Sequence, residues 1–367
     1  MSSSLPPSDS PQPAPFVPPA RPLPPRRIIL EQPMGGMRKI VLTLALTALA
    51  ISILFNIKLL GEYHSYLQTD SGMEEKFHSG SASATDKIAI ITLKGVIMEG
   101  DGFVKKQIDR IRKNIEDGQD IKAIVVRVDS PGGTVTGSDY IYYHLKKLRR
   151  DTKLPMVISM GSLAASGGYY VSMAADGEDT IYAEPCTWTG SIGVIIPHYD
   201  ISKLLEQYKI KDDSIASGPL KQMLSPTRDP DEAVKKQEEA VIKELVDESF
   251  DRFKKIVSDG RPKLKNDPVL MAKATTGQIF SASQAQQLGL VDQIGFLDDA
   301  IDRAAKLAGV SAKDVRVVEF RQQKGLLDVA LGGNSDSSSQ LRMLLDMTAP
   351  RAFYLCTWLP GALGTAR

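Results

Sequence analysis

The sequence has little of what metal and redox centres are usually built from: its 367 residues include two cysteines and four histidines. Cys186 and Cys356 form neither a CxxC pair nor a disulfide ladder, and each reads as a small packed residue. His64, His78, His144 and His198 show no HExxH or paired-ligand spacing, so neither a metal nor another cofactor is expected. An excess of charge is lacking too. With 45 Lys and Arg against 44 Asp and Glu, the net charge of +1 gives no electrostatic reason to expect nucleic acid as a partner. What is present is 42% hydrophobic residues, enough for the core of one large domain or two ordinary ones.

Composition changes along the chain. Residues 1–38 are dense in Pro and Ser and read as a disordered tail, unable to bury enough apolar area to offset chain entropy. Residues 39–60 carry the apolar run IVLTLALTALAISILF and its continuation. A helix of about 21 residues spans about 31 Å, the thickness of a bilayer's hydrocarbon core. Lys58, near the end of the run, can snorkel to the interface. A cleaved signal peptide, with Ala48 and Ala50 as the small residues, and a buried core helix compete with the anchor reading. The run continues past those alanines through Phe55, and its flanks are a Pro-rich tail and a Gly/Ser-rich stretch, which favours a single transmembrane helix. Arg21, Arg26, Arg27, Arg38 and Lys39 precede it, placing the N-terminus in the cytoplasm and everything after about residue 61 outside.

Residues 61–85 read as a linker. A folded α/β region is expected over 86–320, where the strand-like segments IAIITLKGVI (88–97), IKAIVVRVD (121–129) and PMVISMG (155–161) are separated by helical patterns. That rhythm predicts a parallel sheet with helices on its faces, followed by a helical part that includes 231–257. Residues 321–367 are a C-terminal extension, and Asp346, Pro350 and Arg351 argue against a second membrane span there.

Glycine-bearing corners fall where strands of such a sheet end, the edge at which α/β folds place their sites. Asp129-Ser130-Pro131-Gly132-Gly133 follows a strand and reads either as an ordinary turn or as backbone N–H groups presented to an oxyanion. Ser166-Gly167-Gly168 also follows a strand and reads either as a small-residue packing surface, with Ser162 as a helix N-cap, or as a hydroxyl held in a tight backbone. A serine needs a base. Lys221, in SGPLKQMLSP, is a solvated surface charge or, if its ammonium is buried there, a neutral amine able to take the serine proton. His198, with Asp200 nearby, is the rival base or an unremarkable loop histidine.

The ordered set DSPGG, SLAASGGYYVSMAAD, TGSIGVI and SGPLKQMLSPTRDP resembles the signal peptide peptidase A family, also called protease IV. The resemblance covers about residues 86–320, including GQIFSASQAQQLGLVDQIGFLDDAI. It implies a membrane-anchored serine/lysine peptidase on the Clp-protease/crotonase fold. Position by position it implies Ser166 as nucleophile, Lys221 as general base and Ser191 as the residue that orients the lysine. The amides of Gly132, Gly133 and Gly167 become the oxyanion donors, with no catalytic His or metal. It further implies released signal peptides as substrates and, for a chain with one copy of the fold, a ring-shaped homo-oligomer that shares its sites. A crotonase-like acyl-CoA enzyme and a non-catalytic membrane scaffold on the same fold are the alternatives. An extracytoplasmic position argues against the first, and the intact Ser166, Ser191 and Lys221 set argues against the second.

Overall fold

The computed structural model describes residues 36–68, 73–175, 177–322 and 352–355. The expectations for most of the Pro-rich tail, for Cys356 and for most of the C-terminal extension lie outside the described residues. Two units are distinguished, Met1–Ser65 and Tyr66–Arg367.

The first unit holds most of helix α1 (Gly36–Gln68), which is longer at both ends than the expected 39–60. Its stretch Arg38–Leu60 has a mean hydropathy of 2.4 over 23 residues and is long and apolar enough to cross a membrane. The hydroxyls of Thr43 and Thr47 donate to the carbonyls of Lys39 and Thr43 at 2.8 Å, so neither leaves a bare donor on the apolar surface.

In the second unit the chain runs through β1 (Met73–Gly80), β2 (Lys87–Lys94), α2 (Phe103–Glu116), β3 (Ile121–Ser130), β4 (Gly132–Thr134), α3 (Val135–Thr152) and β5 (Met156–Ala165). It continues through α4 (Gly167–Ser172), β6 (Ile181–Ala183), β7 (Trp188–Gly190), α5 (Ser202–Gln207), a 3₁₀ turn at Pro219–Gln222, and the long α6 (Glu232–Gly260). After α7 (Pro262–Lys265) and α8 (Pro268–Ala274) come β8 (Ile279–Ser281), α9 (Ala282–Leu288), β9 (Gln293–Ile294), α10 (Leu297–Leu307), β10 (Arg316–Gln322) and β11 (Phe353–Leu355). This is a mixed α/β fold with a parallel-rich sheet in the order β1-β10-β2-β3-β5-β6-β9.

The apolar runs of β2, β3 and β5 are nearly continuous because both faces of the sheet are covered. Ile88, Ile90, Val125 and Val157 pack with Ala300, Ile301, Ala304 and Ala305 of α10 on one face. Ile91, Ile124, Val126, Ile158 and Met160 face the other way and pack with residues of α2, α3 and α4, including Ile108, Leu145 and Tyr170.

Two expectations are corrected. The supposed linker 61–85 contains β1, which pairs antiparallel with β10 at the sheet edge. Its sequence, MEEKFHSG, hides the strand because an edge needs little apolar pattern. Backbone pairing and the Lys87–Glu75 ion pair (2.7 Å) hold it. Cys186, expected to be packed, is exposed.

β5 is the strand that positions the site. Its first half pairs with β6 and its last three residues pair with β7 instead, Leu163 opposite Trp188 through Ala165 opposite Gly190. Between them the register with β3 jumps from Val128 opposite Met160 to Ser130 opposite Ala164, a bulge of two extra residues on β5. The Asp129 carboxylate closes the bulge by accepting the Ser162 hydroxyl at 2.7 Å and the Leu163 amide at 3.2 Å. Ser162 is thus a strand residue, which rules out the helix-cap alternative for it.

A nearly buried ion pair ties the far side together. Asp292 accepts Arg261 Nη2 at 2.6 Å and the amides of Thr180 and Ile181 at 3.0 and 2.9 Å. The Arg261 Nε donates to the Gly289 carbonyl at 2.7 Å. Removing one partner of such a pair leaves the other buried and uncompensated, so Asp292→Ala should lower the unfolding free energy by about 3 kcal/mol in chemical denaturation. A loss below about 1 kcal/mol would place the pair with exposed salt bridges instead.

Candidate active site

Three strand ends meet at one edge of the sheet. After β3 the chain bends while staying parallel to residues 95–97, and Gly132 makes the bend at φ +99°, where a Cβ would lie 2.6 Å from the Gly167 nitrogen. The Ser130 hydroxyl secures the turn, donating to the Gly95 carbonyl at 2.6 Å and accepting the Gly132 amide at 3.1 Å. That bond engages the Gly132 N–H, so of the expected oxyanion donors the amides of Gly133 and Gly167 are the ones to consider. Gly167 sits against the turn: a Cβ there would come within 3.1 Å of Gly132 Cα and of the Gly133 nitrogen.

Ser166 joins β5 to α4 with φ 53° and ψ −113°, a conformation that L-residues rarely adopt. Its amide donates to the Gly190 carbonyl and its carbonyl accepts the Tyr170 amide, both at 2.8 Å, so the backbone is fixed on both sides of the strained residue. The residue is buried, and no hydrogen bond to its hydroxyl is found among the described residues. Ser191 follows β7 as Ser166 follows β5. Because Ala165 lies opposite Gly190 in a parallel pair, Ser166 and Ser191 leave adjacent strands side by side. Ser191 is also at positive φ, 50°, and its amide donates to the Gln278 carbonyl at 2.7 Å.

Lys221 is not part of this cluster. It lies exposed in the 3₁₀ turn Pro219–Gln222, its amide donating to the Gly218 carbonyl at 3.1 Å. No hydrogen bond joins its side chain to Ser166 or Ser191 among the described residues. The turn is held to α6 by Arg228, which donates to the Gln222 carbonyl at 3.3 Å and pairs with the buried Glu238. The burial anticipated for the lysine is absent in the single chain. His198 is exposed as well, and the Asp200 carboxylate accepts the amide and hydroxyl of Ser202 at 2.9 and 2.6 Å rather than orienting an imidazole.

The profile of Peptidase family S49 matches residues 148–311, a span that includes Ser166, Ser191 and Lys221. A protein of Synechocystis sp. whose name calls it a protease is 37% identical over 265 residues, 72% of this chain and 88% of that one. The chain belongs to peptidase family S49. An Enterococcus faecium protein named as a signal peptide peptidase, SppA, is 34% identical to this S49 chain over 68% of its length and 70% of the relative's. Protease 4 of Haemophilus influenzae is 32% identical over 64% of the chain, which spans 37% of that longer protein.

Some residues at the S49 site were not visible in the sequence. Ser138, one turn into α3, is fully buried, its hydroxyl has no hydrogen-bond partner among the described residues, and a Cβ on Gly167 would lie 2.4 Å from it. Gln278 acts through its carbonyl alone. Neither role has a side-chain signature. The strain at Ser166 is measurable. Relief of about 1–3 kcal/mol of backbone strain outweighs the about 0.5–1 kcal/mol of chain entropy that a glycine costs. Ser166→Gly should therefore unfold at higher denaturant concentration than wild type while losing peptidase activity; a lower midpoint would show that the corner is not strained.

Proposed function

We propose that the chain is a membrane-anchored serine endopeptidase of the Clp-protease/crotonase fold, with Ser166 as nucleophile and Lys221 as general base. The observation that carries this is the corner itself: a buried serine forced to positive φ at a strand end, beside Ser191 and the Gly133 and Gly167 amides. Ser166 Oγ attacks the scissile carbonyl, the neutral lysine takes its proton, and the two amides receive the oxyanion. The amine then protonates the leaving nitrogen and activates water for deacylation, with Ser191 orienting it.

A lysine serves as base only where its ammonium is desolvated. The single chain leaves Lys221 exposed, on a segment that is itself short of a core. Tyr199, Tyr208 and Ile215 are 78%, 72% and 101% exposed, with Leu204 and Ile210 about them also exposed. Such an apolar arm fits a contact with a neighbouring subunit, bringing Lys221 to that neighbour's Ser166 and Ser191. Head-to-tail contacts of this kind close into rings. The α1 segment supports anchoring. With the basic residues before it, the N-terminus is cytoplasmic and the peptidase domain extracytoplasmic. A tethered site meets apolar peptides at high local concentration, which suits released signal peptides and other unstructured segments as substrates.

Two measurements test this. Lys221→Ala should lower the rate on an unstructured apolar peptide at least about a hundredfold, while His198→Ala keeps most of it; equal loss in both would overturn the base assignment. Co-expressed Ser166→Ala and Lys221→Ala chains, inactive alone, should regain activity at about a quarter of the sites of randomly mixed rings. No recovery in particles shown to contain both chains would sink the shared site and leave the Ser/Lys chemistry standing.

A further inference from the structure

Helix α4 is six residues long, too short to hold its own shape, so its place is set by what its side chains reach. Two tyrosines stand at its centre, both fully buried, and each gives its hydroxyl a partner as a buried phenol must. Tyr169 donates to the Leu290 carbonyl at 2.9 Å, an ordinary backbone partner. Tyr170 donates instead to the Asp139 carboxylate of α3, Oη to Oδ1 at 2.5 Å. A tyrosine kept only for packing needs no carboxylate; a backbone carbonyl serves, as Tyr169 shows.

Asp139 is itself held from a third helix. Arg252 of α6 donates Nη2 to its two oxygens at 2.6 and 2.8 Å and Nε to Oδ1 at 3.2 Å. Arg252 is 55% exposed, and a pair open to solvent on one side adds little to stability, so what it supplies is the orientation of the carboxylate. The next residue on α6, Phe253, packs its ring 5.0 Å from that of Tyr170, and Tyr142 of α3 meets the same ring edge-on at 5.5 Å. α3 and α6 thus each supply one ring and one charged group around a single side chain. Burial, with the Asp139 carboxylate beside it, pushes the Tyr170 phenol well above the usual tyrosine range, so the hydroxyl stays a donor at any working pH.

Tyr170 is also the residue whose amide donates to the Ser166 carbonyl at 2.8 Å. The side-chain anchor and the backbone bond to the strained serine therefore meet in one residue. α4 cannot turn about its axis toward a relaxed Ser166 without drawing the phenol off Asp139. We propose that Asp139 is a positioning residue of the peptidase: by holding the Tyr170 hydroxyl it keeps Ser166 in its strained conformation, and Arg252 fixes the carboxylate that does so. The catalytic consequence rests on the reading of Ser166 as nucleophile; the structural one rests on the strain at that residue.

The test uses the detergent-purified full chain with Tyr170→Phe, which removes the hydroxyl and leaves the ring between Tyr142 and Phe253, and with Asp139→Ala. On an unstructured apolar peptide each should lower kcat about ten- to a hundredfold at unchanged KM, because the substrate contacts stay while the attacking oxygen is misplaced. The double variant should fall no further than the lower single one, since both remove the same bond. The second readout is the denaturation midpoint. Ser166→Gly should raise it in the wild type by relieving strain and should give no rise in the Tyr170→Phe background, where the corner has already relaxed. Equal rises in both backgrounds overturn the inference, because a hydroxyl that merely satisfies the core would leave the strain untouched. No rise in the wild type overturns it too, as do wild-type kcat in either single variant, a change confined to KM, or losses that multiply in the double variant. Ser166→Ala that keeps wild-type activity refutes the nucleophile reading, and the inference falls with it as a statement about catalysis.

Discussion

The site depends on one backbone conformation, the positive φ of Ser166 between a strand and a helix. A strained residue persists only where its neighbours determine it from more than one side. Here the determination is double. The Gly190 carbonyl holds its amide from β7, and the Tyr170 amide holds its carbonyl from α4. Close approach completes the corner: a Cβ on Gly168 would lie 2.8 Å from the Ser130 carbonyl, so α4 rests on the end of β3 with no side chain between them. The two serines and the glycine amides come together as consequences of that geometry.

The βα rhythm was legible because β2, β3 and β5 are covered on both faces and must be apolar along their length. The glycine corners were legible because a chain leaving a strand at positive φ favours glycine. Ser166 and Ser191 break that preference, and only the ordered motifs around them drew attention to it. Other parts had no local signal. β1 is a polar edge strand, and β11 is three residues long and pairs with residues more than two hundred positions earlier. Patterns within a window do not report such pairing. The exposure of Lys221 could not be read from its apolar neighbours in sequence, because Leu220 and Met223 half-bury themselves in a turn on α6 rather than building a pocket around the lysine.

The segment that carries Lys221 contrasts with the rest of the second unit. Asp212 accepts the Ser214 amide and hydroxyl at 3.0 and 2.5 Å and also the Thr227 hydroxyl, and these bonds hold its carboxyl down at about 2. The arm is therefore fastened across its own base by polar contacts while its large apolar side chains stay outside. A self-fastened loop with an apolar exterior is pre-shaped for contact, and less ordering entropy is lost when a neighbour covers it.

The bulge in β5 inserts two residues, and two is even. A one-residue slip would turn every later side chain to the opposite face of the sheet, whereas a two-residue slip bends the strand and leaves the inside-outside alternation intact. The half of β5 that fills the core and the half that ends in Ser166 therefore keep a common polarity while following different partners. Ile158 and Met160 before the bulge and Ala164 after it therefore face the same side of the sheet. The fold is modular at that joint: the sheet interior and the corner are separately partnered halves of one strand.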